Sequence, residues 1–143
     1  MARPATPDDV DLICAELPGT ELGTSWGDRP TWKVPRGPKG KGFLLYRSPH
    51  PTAVDPVTGE MYDDLVVIQT PTAAEKQALV EDPDTPFFTI DHFRGHDAVL
   101  VQLSRLGEIG VDELREVIVD AWAKRAPKDL VEAFFDGEAG TRG

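Results

Sequence analysis

Residues 86–103 read PFFTIDHFRGHDAVLVQL, and how they fold decides the architecture of the chain. Phe87-Phe88-Thr89-Ile90 and Ala98-Val99-Leu100-Val101-Gln102-Leu103 are β-branched, aromatic or aliphatic, the residue types that suit a pleated surface. Between them lie the polar residues Asp91, His92, Arg94, His96 and Asp97, with Gly95 for the turn. The stretch therefore predicts a β-hairpin.

Upstream of the hairpin, Thr72-Ala73-Ala74-Glu75 has the spacing of a capping box and predicts a short helix ending near Pro83. Leu65-Val66-Val67-Ile68-Gln69 is an unbroken apolar run that predicts a central strand. Phe43-Leu44-Leu45-Tyr46-Arg47 and Thr31-Trp32-Lys33-Val34 predict two more strands, joined by PRGPKGKG at 35–42. Residues 48–64 form a long proline-containing connection, read as either a variable insertion or a functional flap. Gly19, Gly23 and Gly27 mark residues 19–27 as a loop. It lacks the Gly-Lys-Ser/Thr ending of a phosphate-binding loop. At the N-terminus, Thr6-Pro7-Asp8-Asp9 starts a helix whose apolar face is Val10, Ile13, Cys14 and Leu17. Downstream, Val111, Leu114, Val117, Ile118, Ala121 and Trp122 recur at three and four and predict the main core-facing helix. Pro127 ends that helix and restarts a short one, which Gly137 is expected to close.

The predicted order is α-β-β-β-α-β-β-α, plus a short terminal helix. Short connections favour antiparallel pairing, so the expected fold is α+β, a five-stranded antiparallel sheet with helices on one face. One domain is expected over 1–136, with a disordered tail over 137–143.

A chain of 143 residues with 40% apolar content can bury a core without disulfides or a structural metal. Its one cysteine, Cys14, allows no internal disulfide and reads as a small buried hydrophobe. No run resembles a signal peptide or a membrane span, so a cytoplasmic protein with no membrane partner is the expectation. The formal charge of −10 is uneven: residues 29–50 carry +6 and the remainder −16. The overall sign opposes generic nucleic-acid binding. A local basic strip of Arg29, Lys33, Arg36, Lys39, Lys41 and Arg47 is nonetheless suited to phosphate. Equally, cations on a sheet edge keep it soluble. Lys124, Arg125 and Lys128 complement the dipole at a helix C-terminus, or join that strip if the fold brings them together.

No catalytic constellation is visible. His92 and His96 flank Arg94-Gly95 in a predicted turn, which does not set two imidazoles on one helix face, and no third ligand is evident. Neither a metal nor a cofactor is expected. No serine sits in a nucleophile elbow. The adjacent acids Asp8/Asp9 and Asp63/Asp64 read as capping and solvation. A second class of function is a non-catalytic small-ligand or protein-interaction module, with a pocket at the sheet/loop junction lined by Trp26, Trp32, His92 and Trp122.

Several pieces in order resemble the MmcQ/YjbR family: Leu17-Pro18-Gly19, Ser25-Trp26-Gly27, Thr31-Trp32-Lys33-Val34, the 86–103 stretch, Ala121-Trp122 and Arg125-Ala126-Pro127-Lys128. They span about residues 8–131. The resemblance implies a fold of the CyaY-like or secretion-chaperone-like kind. It also implies a DNA-binding role in which two β wings grip a duplex. By position the wings are 35–42 and 92–97, with Lys33, Lys39, Lys41 and Arg94 meeting phosphates. The net charge, a long 48–64 connection and His96 in place of an aromatic depart from the family pattern.

Overall fold

The structure is a computed structural model. It describes residues 3–25, 29–47, 51 and 53–142, with the side chains of Ser25, His92 and 137–142 outside that description. Five strands, β1 (Glu21–Ser25), β2 (Arg29–Val34), β3 (Lys41–Arg47), β4 (Leu65–Gln69) and β5 (Ala98–Gln102), form one antiparallel sheet in sequential order. Helix α1 (Pro7–Glu16) precedes the sheet and α2 (Ala73–Glu81) joins β4 to β5. Helices α3 (Val111–Arg125) and α4 (Lys128–Arg142) follow. The α+β class and the five-stranded antiparallel sheet are as the sequence predicts.

The strands are shared out differently. Phe87–Ile90 is not a strand: only Phe88 bridges Leu100, through hydrogen bonds of 2.9 and 2.8 Å, before a 3-10 turn at Asp91–Phe93. The apolar pattern of that segment serves burial rather than ladder pairing. The fifth strand is instead β1, inside the expected glycine loop, and it pairs residue for residue with β2 from Glu21↔Lys33 to Ser25↔Arg29. Gly137 does not close the terminal helix as expected, since the α4 backbone stays helical past it to Arg142. Glu138 and Ala139 are good helix formers, and each of Gly137 and Gly140 costs only about 1 kcal/mol relative to alanine, too little to force a stop.

Alternation along the strands sends side chains to two buried faces. Val66, Ile68, Val99 and Val101 join α1 and α3 residues in the main core, around Leu114, Ile118 and Trp122. Leu65, Val67, Ala98 and Leu100 point the other way, into a second cluster closed by Ala53 and Phe93, with Tyr62, Phe88 and Ile90 against it. Burial on both faces explains why β4 and β5 read as unbroken apolar runs. The described part of the 48–64 connection is thus a cover for the far face, tied by the Val54↔Met61 bridge and by Tyr62 N–H to the Ala53 carbonyl at 3.0 Å.

Candidate nucleic-acid interface

Strand register sets which cations share an end of the sheet. Val34 pairs with Lys41, so residues 35–40 project beyond the sheet as a hairpin tip. Leu44 pairs with Ile68, which brings Lys41 and Gly42 to the Gln69–Thr70 end of β4. Lys124 at the close of α3 reaches that same end, donating to the Thr70 carbonyl at 2.8 Å and to Gln69 Oε1 at 3.3 Å. Arg125 donates to Gln69 Oε1 at 3.2 Å. Gln69 also pairs with Ala98, and Thr70 N–H meets the Asp97 carbonyl at 2.8 Å, so the 91–97 turn emerges there too. Hairpin, turn and helix terminus leave the sheet together.

The basic strip itself is divided. Thr31 pairs with Leu45, which carries Arg29 and Arg47 to the opposite end, roughly 17 Å away at about 3.3 Å per strand residue. Arg47 is only 5% exposed and lies on the far face, its guanidinium carbon 5.4 Å from the Phe93 ring centroid. Burial, with the Arg29 charge beside it, lowers its pKa. Arg47 is therefore corrected from a phosphate contact to a buried cation–π residue. Lys33 lies half-buried opposite Glu21, with its stem over Gly23.

At the hairpin, Arg36, Lys39 and Lys41 are exposed. Arg36 Nε donates to the Thr20 carbonyl at 3.0 Å, and Gly37 N–H donates to Glu21 Oε1 at 3.2 Å, so β1 clasps the tip from below. Gly40 is required there: a Cβ would sit 2.7 Å from the Pro35 carbonyl oxygen. Arg94 is exposed and paired with Asp91 at 2.9 Å. Lys128 is nearly fully exposed, 3.9 Å from Glu132. Lys76 on α2, which the sequence reading did not single out, donates to the carbonyls of Phe93 at 2.7 Å and His96 at 2.6 Å. It anchors the 93–97 turn, and burial lowers its pKa. Nothing in the spacing of α2 marks Lys76, because its partners are backbone atoms distant in sequence.

The tryptophan pocket is corrected in part. Trp122 is fully buried and donates its indole N–H to the Pro18 carbonyl at 3.0 Å. Trp32 is buried under α1 and donates to Asp11 Oδ1 at 2.9 Å, where the Tyr46 hydroxyl also donates at 2.7 Å. Both indoles hold the core together. Trp26 and the side chain of His92 lie outside the described residues. Grooves do occur elsewhere. One of about 430 Å³ lies between α2 and residues 89–97, and one of about 240 Å³ lies between α2 and α3. In the second, burial and the charges of Glu75 and Glu116 raise the Asp120 pKa. Cys14 is buried, and desolvation raises its thiol pKa. Among the described residues, no three His, Cys, Asp or Glu side chains are grouped to hold a metal, and no helix is long and apolar enough to cross a membrane.

Uncharacterised proteins of Mycobacterium tuberculosis and Mycobacterium bovis are 45% identical over 131 residues, covering 92% of this chain and 96% of theirs. No solved structure gives a significant match. The YjbR family model matches residues 15–124, from the end of α1 to the end of α3, and the chain belongs to that family.

Proposed function

We propose that this domain is a non-catalytic binder of duplex DNA that contacts phosphates with the end of the sheet where the hairpin, the 91–97 turn and the α3 terminus emerge. The observation that carries the reading is this convergence. Arg36, Lys39, Lys41, Arg94, Lys124, Arg125 and Lys128 come from three separate segments. They meet at one end of a molecule that is otherwise anionic. The two projecting connections correspond to the wings that the family resemblance implies.

Phosphate contact without base readout gives weak, salt-sensitive affinity, with Kd of about 10⁻⁴ to 10⁻⁶ M. The three hairpin cations alone contribute about −3 to the slope of log K against log salt, and the cations of the turn and the helix terminus steepen it. Fluorescence anisotropy with a labelled duplex, titrated at several salt concentrations, reads both quantities. Replacing Lys39 and Lys41 with glutamate is expected to remove at least about tenfold in affinity and to flatten the slope. Absence of a complex at low salt, or unchanged binding by the Lys39→Glu/Lys41→Glu variant, overturns the reading.

A further inference from the structure

The far face of the sheet presents a second surface with the opposite chemistry. A groove of about 530 Å³ runs between the 53–62 cover and residues 88–91, with Val54, Pro56, Tyr62, Phe88 and Ile90 among its walls. The Tyr62 and Phe88 rings stand 5.5 Å apart. Of the six large apolar side chains exposed among the described residues, three belong to this cover: Val54 at 37%, Val57 at 90% and Met61 at 48%. The Val54↔Met61 bridge holds two of them side by side. Exposed apolar groups concentrated on one element beside a groove mark an interaction surface.

Charge narrows the partner. Residues 51–64 contain Asp55, Glu60, Asp63 and Asp64 and no basic residue. Arg105, the cation on the groove wall, is committed to Glu108 through bonds of 2.6 and 2.9 Å. Asp55 and Asp64 cap backbone N–H groups at Val57 and Ser104, whereas Glu60 and Asp63 are exposed. Glu60 and Asp63 lie on the cover beside the groove rather than in its walls, and there they repel nucleic acid and anionic lipid. A second copy of the chain is a poor occupant, because its basic hairpin, 35–42, has no aliphatic or aromatic side chain besides proline. We infer that this groove docks a basic, apolar peptide segment of a protein partner: hydrophobic side chains enter beside Tyr62 and Phe88, and lysine or arginine meets Glu60 and Asp63. It does not rest on DNA binding, since it uses neither the hairpin nor α3 and meets the 91–97 turn only at Asp91.

The probe is a synthetic peptide of alternating lysine and leucine, titrated into the labelled full chain and followed by amide chemical shifts. A lysine–serine peptide of equal charge separates docking from general attraction to an anionic protein. Shifts are expected at 54–62 and 88–91. Val57→Ser with Met61→Ser should weaken binding about tenfold, as loss of anchor residues does. Glu60→Gln with Asp63→Asn should weaken it about fivefold. These four side chains are exposed, so the variants should keep the fold, which their unchanged remote amide shifts will verify. Equal binding of the lysine–serine peptide, shifts centred elsewhere, or no binding overturns the proposal.

Discussion

Two connections of the same sheet, 35–40 between β2 and β3 and 48–64 between β3 and β4, differ in both charge and placement. The first reads PRGPKG and stands off the end of the sheet. The second brings Ala53 and Tyr62 to the far face and folds back over it. A connection returns to a sheet when it carries apolar groups to bury; one made of proline, glycine, arginine and lysine has little to bury and stays in solvent. Placement then follows composition, and so does role: the projecting connection offers charge to a polyanion, whereas the packed one completes a core and leaves an acidic, apolar rim.

The largest effect that could break this comparison is on the packed side. Phe93 is 3% exposed, closes the far-face cluster and lies against Arg47. Phe93→Ala is expected to cost about 3 to 5 kcal/mol in urea denaturation, the range for truncating a buried aromatic. A loss below about 1 kcal/mol would mean that the far face holds no true core. Gly40→Ala comes next, at about 1 to 2 kcal/mol, because its Cβ meets the Pro35 carbonyl and the hairpin must shift. DNA affinity should fall with it.

Acid titration probes a site outside both connections. Asp9 is nearly buried and accepts from Arg3 at 2.7 and 2.5 Å and from Thr6 N–H at 2.8 Å. The Arg3 hydrogen bonds hold its pKa well below the ordinary 3.8, against burial, which pushes upward, and Thr6 adds to the lowering. A depressed folded pKa means stability that is complete above the ordinary carboxylate range and lost as pH falls below about 4. Asp9→Asn should flatten that acid limb in a pH series of melting curves. The smallest effect belongs to the projecting hairpin: Lys39→Ala should change stability by no more than about 0.5 kcal/mol while lowering DNA affinity. A larger stability loss would show that the hairpin is packed after all.

Much of the fold was legible because the local signals agreed with the tertiary ones. Thr72 Oγ1 does accept from Glu75 N–H at 3.2 Å at the start of α2, and Pro7 does open α1. The α3 periodicity places Leu114, Ile118, Ala121 and Trp122 in the core. β1 was illegible because Glu21-Leu22-Gly23-Thr24-Ser25 has little intrinsic strand character and becomes a strand by pairing with β2. Phe87 to Ile90 misled for the opposite reason: its residues suit a strand, but burial rather than pairing uses them. The candidate site was half legible. Arg36, Lys39 and Lys41 are neighbours in sequence and in space, whereas a turn at the hairpin sends Arg29 and Arg47 to the other end. Register decides that, and no composition count contains it.

Amide chemical-shift mapping with a short duplex at low salt tests the division of the molecule most directly. Phosphate binding at the basic end predicts shifts at 36–41, 94–97 and 124–128, with the 54–62 amides unmoved. Shifts centred on 54–62, or a hairpin that stays silent while DNA binds, would contradict it.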